Sequence, residues 1–181
     1  VGFGPVGNKT ASPISSSNGS EFILSPMAKD LVGMYRPDEN ILGNISYKTI
    51  GDAPNRKFVI QFNNFTPYNS ATPTYTNNLF HLSFQIILNE DHTARFVYDI
   101  SAIGAPSQQD FFVGIRGAVT SDFHTRTSTG TVQSNWNSSN KSISNSNKMV
   151  LNTSQSMPIS GLTYNFLLPL PCEVPTAQPT N

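Results

Sequence analysis

The sequence predicts an all-β domain built as an antiparallel two-sheet β-sandwich, jelly-roll-like, and three observations carry that expectation. Apolar side chains recur at every second residue over several stretches, helical periodicity is nearly absent, and Gly, Pro and Asn turns separate the stretches. The one candidate helix, Ser25 to Met34, is interrupted by Pro26 and Gly33, so none is expected there. Asn44 to Ile50 alternates, with Ile45, Tyr47 and Thr49 on one face. Arg56 to Phe65 places Phe58, Ile60 and Phe62 on one face, and Leu82, Phe84, Ile86 and Leu88 form an apolar ladder. Period two with one apolar face is what a half-buried antiparallel strand needs. The polar run Asn89-Glu90-Asp91-His92 then reads as a hairpin turn leading into Ala94 to Ile100. Further short strands are expected at Phe111 to Ile115, Phe123 to Thr127, Lys148 to Leu151 and Leu162 to Leu168. The predicted core comprises Phe58, Ile60, Phe62, Phe84, Ile86, Leu88, Phe96 and Tyr98.

Three stretches break the pattern: a Thr/Pro/Tyr-rich loop at 69–78, a low-complexity Ser/Asn segment at 134–147, and a Pro-rich linker at 169–181. Residues 1–168 therefore read as one sandwich domain and 169–181 as the linker to a following domain. Its 181 residues suffice to bury a core without disulfide or metal. The chain opens on Val1-Gly2-Phe3-Gly4, which resembles the end of a strand, so an N-terminally truncated sandwich is expected, with an edge there left open or paired with a strand of another chain.

Composition narrows function by exclusion. Lys+Arg 11 against Asp+Glu 11 gives no net charge, and no basic stripe exists for a nucleic acid to occupy. No run of ~20 apolar residues is present to span a bilayer. The single cysteine, Cys172, builds no metal site and closes no disulfide within the chain; it reads as a linker thiol or as half of a disulfide with an outside partner. His81, His92 and His124 lie in no metal-ligand spacing, and no nucleophile elbow, phosphate-binding Gly loop or EF-hand loop occurs. The adjacent acids Glu90-Asp91 and Asp38-Glu39 fall in turns, where they point apart rather than across a cleft. Neither an enzyme nor a cofactor is expected, and no metal site is assigned, although a calcium ion held by loop carbonyls leaves little sequence trace. The surviving binding candidates are aromatic. Trp136, in Ser134-Asn135-Trp136-Asn137-Ser138, could stack on a sugar face beside amides that bond its hydroxyls, with Tyr68 and Tyr75 flanking the Thr/Pro loop; the alternative for Trp136 is a ring buried at one end of the sandwich.

Four segments together resemble a nidogen-like extracellular domain. They are Leu24 to Leu31, Ile45-Ser46-Tyr47-Lys48, the ladder from Leu82 to Leu88 with Phe96-Val97-Tyr98 after it, and Val113-Gly114-Ile115. The likeness is closer to a β-sandwich of secreted Bacteroidetes proteins, whose motifs Ala53-Pro54-Asn55-Arg56-Lys57-Phe58 and Phe84-Gln85-Ile86-Ile87-Leu88-Asn89-Glu90 match. Ala28 and Lys29 stand where that family carries a Trp and its first acid, leaving Asp30 alone of a carboxylate pair. Residues 171–181 resemble the entry to a fibronectin type III-like repeat of surface proteins exported by type IX secretion. The resemblance implies a non-catalytic bacterial adhesion or interaction module, extracellular or at the cell surface within a multidomain protein, whose partner is an extracellular protein or a glycan. A carbohydrate-binding accessory domain of a secreted hydrolase is the alternative.

Overall fold

The computed structural model describes residue 14 and residues 22–36, 40–68, 80–102, 104–128, 135–142, 148–153 and 156–167. Val1 to Gly4, Tyr75, Cys172 and the linker at 169–181 lie outside them, as do the expectations placed there. Among the described residues the regular structure is strand, apart from a single 3₁₀ turn, and no helix is long and apolar enough to cross a membrane.

Two antiparallel sheets pack face to face. The first runs in the order β13 (Leu162–Leu167), β8 (Thr93–Ala102), β7 (Phe80–Asn89), β6 (Lys57–Pro67). The far side of β6 is shared end to end by β2 (Leu31–Gly33) and β5 (Asn44–Ile50). The second sheet runs β1 (Ile23–Ala28), β9 (Gln109–Arg116), β10 (Phe123–Thr127), β11 (Asn140–Ser142), with β12 (Met149–Leu151) also on β9. A small ribbon of β3 (Tyr35–Arg36) and β4 (Ile41–Leu42) connects β2 to β5.

The strands predicted from alternation form where expected, and the interrupted stretch at 25–34 is β1 and β2 rather than a helix. Pro26 is tolerated because β1 slips register between Ser25 and Ala28, where a missing N–H is harmless, and its carbonyl accepts the buried Tyr98 hydroxyl at 2.9 Å. A second bulge, between Phe62 and Phe65, divides β6 between its two neighbours. Asn64 sits there in left-handed conformation, accepting from Met34 N–H at 2.8 Å and donating to the Leu42 carbonyl at 3.2 Å.

The Val113-Gly114-Ile115 motif has a steric cause. A Cβ on Gly114 would stand 2.2 Å from the His124 carbonyl oxygen and 2.8 Å from Thr125 Cα, both backbone atoms of β10. Gly114→Ala is expected to force β9 from β10 and to destabilise by about 1–3 kcal/mol or more, measured by chemical denaturation.

Arg56 of the Ala-Pro-Asn-Arg segment ties the β5–β6 turn to the β7–β8 turn. Its backbone N–H donates to Glu90 Oε2 at 2.7 Å and its Nε to Oε1 at 2.6 Å. The side-chain hydrogen bond from Arg56 is the largest influence holding the Glu90 carboxyl below its ordinary range. A carboxylate whose pKa falls on folding stabilises above its unfolded pKa, and that contribution is lost as pH falls through the folded value. Arg56→Ala should therefore lower the melting temperature slightly at neutral pH and not at all in acid, because the pair is exposed and screened. A difference that persists in acid would place the effect elsewhere.

The core lies between β7, β8 and β13 on one side and β1, β9 and β12 on the other. Phe84, Ile86, Phe96 and Tyr98 are buried as predicted. Ile60, Phe62 and Leu88 are partly buried and pack against that core, whereas Phe58 is partly buried outside it, which corrects the expectation for Phe58 alone. The second sheet covers β7, β8 and β13, thins over β6 and leaves β5 bare, so a correct face assignment does not bring full burial.

Candidate interaction surface

The uncovered end of the first sheet is the largest departure from ordinary sandwich packing. Cross-strand register puts Ile45 opposite Phe62, Tyr47 opposite Ile60 and Thr49 opposite Phe58. Phe58, Ile60 and Phe62 in turn face Leu88, Ile86 and Phe84. Directly opposed residues share a face, so the core face continues unbroken from β7 through β6 onto β5. There Ile45 is 58% and Tyr47 76% exposed. The Tyr47 and Phe58 rings lie 5.9 Å apart, while Phe62 stacks on Phe84 at 4.7 Å. All seven residues of β5 are exposed, and among the described residues no strand pairs with its outer edge.

The opposite face of the same strands carries hydrogen-bonded amides beside Val59 and Ile87. Gln85 donates to Gln61 at 3.2 Å, Gln61 to Asn63 at 2.5 Å, and Asn63 to Asn44 at 3.4 Å. This amide ladder marks the solvent side and leaves the apolar side as the anomalous one. β5 carries one charge, Lys48, whose place in the alternation is on the polar face.

The aromatic candidates separate. Trp136, in the 3₁₀ turn Trp136–Ser138, is 0% exposed, which corrects its candidacy as an open stacking ring. Its ring meets Tyr98 edge-on at 5.2 Å and its Nε1–H donates to the Val150 carbonyl at 2.7 Å. The Tyr164 hydroxyl donates to the Trp136 carbonyl at 2.7 Å and accepts from the Ser139 hydroxyl at 2.9 Å. Burial pushes both the Tyr98 and Tyr164 hydroxyls up, so both rings stay neutral. Tyr68, just past β6, is half-exposed, its N–H bonded to the Asp30 carbonyl. The structure does not bring Tyr68 and Trp136 together. The histidines lie on separate elements: His81 in β7, His92 in the β7–β8 turn, His124 in β10.

Among the described residues two concavities lie away from the β5–β6 face. One, of about 420 Å³, holds Asp30 with Lys29, Asp110 and Lys148, and Lys148 bonds Asp110 at 3.2 Å. The carboxylate that shares this space with Asp30 thus comes from β9 and is paired with Lys148. The other, of about 390 Å³, lies where the edges of β10, β11 and β13 meet and is lined in part by His124, Arg126, Asn137 and Lys141, with no carboxylate among the described residues of its wall. Sequence reasoning missed the β5–β6 face and this seam, because both depend on how far one sheet overlaps the other.

No curated protein and no solved structure matches the chain significantly. A family model described as NIDO related matches residues 2–168, spanning the alternating strands, the Ala-Pro-Asn-Arg turn and the Gly114 strand described above. The chain belongs to the NIDO-related family.

Proposed function

We propose that this is a non-catalytic adhesion or interaction module of a secreted or cell-surface protein, and that it engages a protein partner along β5. The observation that carries the reading is the exposed apolar face of β5, continuous with partly buried β6, beside a strand edge that no strand pairs among the described residues. Natural sheets blunt such edges with charges, prolines or bulges. β5 has no proline, its seven-residue register on β6 is unbroken, and its one Lys belongs to the other face. The fitting occupant is an extended, uncharged, apolar segment of another chain. It adds to β5 through main-chain hydrogen bonds and lays alternate side chains beside Ile45, Tyr47 and Phe58. Membership of the NIDO-related family supports the extracellular setting, and the resemblance of residues 171–181 to the entry of a fibronectin type III-like repeat favours a multidomain, type IX-exported bacterial parent. The carbohydrate-binding alternative loses its main support with the burial of Trp136.

The test compares cells displaying the intact protein with cells displaying Ile45→Lys/Tyr47→Glu, in adhesion to surfaces coated with extracellular matrix protein. Both side chains are exposed, so the variant should melt within a few degrees of wild type while adhesion falls about tenfold or more. Undiminished adhesion of the double variant overturns the reading.

A further inference from the structure

The seam between β10, β11 and β13 is chemically unlike the rest of the molecule. In a chain whose formal charges cancel, the described residues of its wall combine Arg126, Lys141 and His124 with no Asp or Glu among them. The remaining lining is made of hydroxyls, amides and apolar edges, among them Thr163, Asn165 and Leu162. We infer that this seam binds the carboxylate of an acidic sugar, independently of the β5 face.

The geometry assigns roles. Lys141 and Arg126 stand directly opposite each other on β11 and β10, which places their side chains on one face. Arg126 is held in place. Its guanidinium lies over the Tyr164 ring at 4.9 Å, its Nε donates to the Ser139 hydroxyl at 3.1 Å, and its Nη2 donates to the Ser139 carbonyl. Those bonds engage Nε and Nη2, and a further hydrogen bond joins the guanidinium to the Tyr164 hydroxyl. A guanidinium held in this way presents its charge at the cavity wall to a carboxylate without a further ordering cost. Lys141 and His124 are exposed and add to the positive wall. Asp122, the acid nearest His124 in sequence, is turned away: its Oδ2 would lie 2.0 Å from a Cβ on Gly117.

Several features favour a sugar over an acidic peptide. The volume sits at the small end of the ~300–1,000 Å³ typical of small-ligand sites. Thr163, Asn137 and Asn165 supply donors and acceptors in the number a ring of hydroxyls needs, and Leu162 supplies an apolar surface for a sugar face.

Isothermal titration of the intact chain with oligogalacturonate, its fully methyl-esterified form and a poly-Glu peptide tests the assignment. Oligogalacturonate should bind, weakening about tenfold or more between 50 mM and 500 mM salt, while the methyl ester should bind at least about tenfold more weakly. Lys141→Glu, on an exposed side chain, should abolish binding with the melting temperature preserved, and Lys141→Arg should restore it. Equal binding of the ester, preference for poly-Glu, unaltered affinity of Lys141→Glu, or no heat with any acid overturns the proposal. Ile45→Lys/Tyr47→Glu should bind oligogalacturonate as wild type does, so failure at β5 and failure at the seam are distinguishable.

Discussion

Trp136→Ala should be among the most damaging single substitutions in this domain, lowering stability by about 3–5 kcal/mol in chemical denaturation. The ring is fully enclosed, packs edge-on against Tyr98 and places its N–H on the Val150 carbonyl. Truncation leaves a cavity between the sheets and an acceptor without its donor, and the two costs add. Trp136→Phe keeps much of the volume but still orphans the Val150 carbonyl, so a smaller loss of about 1–3 kcal/mol is expected. A loss below about 1 kcal/mol for Trp136→Ala would show that the ring is not a core residue and would reopen the stacking role.

The next largest effect should appear as a gradient across one face of one sheet. Phe84→Ala on β7 should cost about 3–5 kcal/mol, whereas Phe58→Ala on β6, on the same face and half-exposed, should cost about 1–2 kcal/mol. Tyr47→Ala, beyond it on β5, should change stability by no more than about 0.5 kcal/mol, since its side chain is mostly in water already. Equal losses at Phe84 and Phe58 would mean that the second sheet, or some other segment, covers β6 as well. The three measurements together map where the sandwich ends.

That boundary is also where the sequence stops being informative. Alternation fixes which side chains share a face, and it does so correctly for Ile45, Tyr47, Phe58, Ile60, Phe62, Phe84 and Ile86. Whether that face is covered depends on the width of the opposing sheet, which no local pattern in β5 or β6 records. Trp136 shows the converse. A lone aromatic among Ser and Asn looks exposed, yet one 3₁₀ turn inserts the ring while Asn137 and Ser138 stay in water. β11 was missed for the same reason, because its Asn140, Lys141 and Ser142 carry no apolar alternation and pair through backbone with β10. The role of Gly114 is legible only once β10 is laid against it. The seam likewise draws on residues far apart in sequence, brought together by the edges of two sheets.

Amide hydrogen exchange on the displayed intact protein, free and in the adherent state, tests the central claim most directly. On adhesion, slowed exchange is expected only at 44–50 and the facing residues 57–63, with 123–127 and 140–142 unchanged. Slowed exchange on β10 and β11 alone, or none on β5, would contradict it.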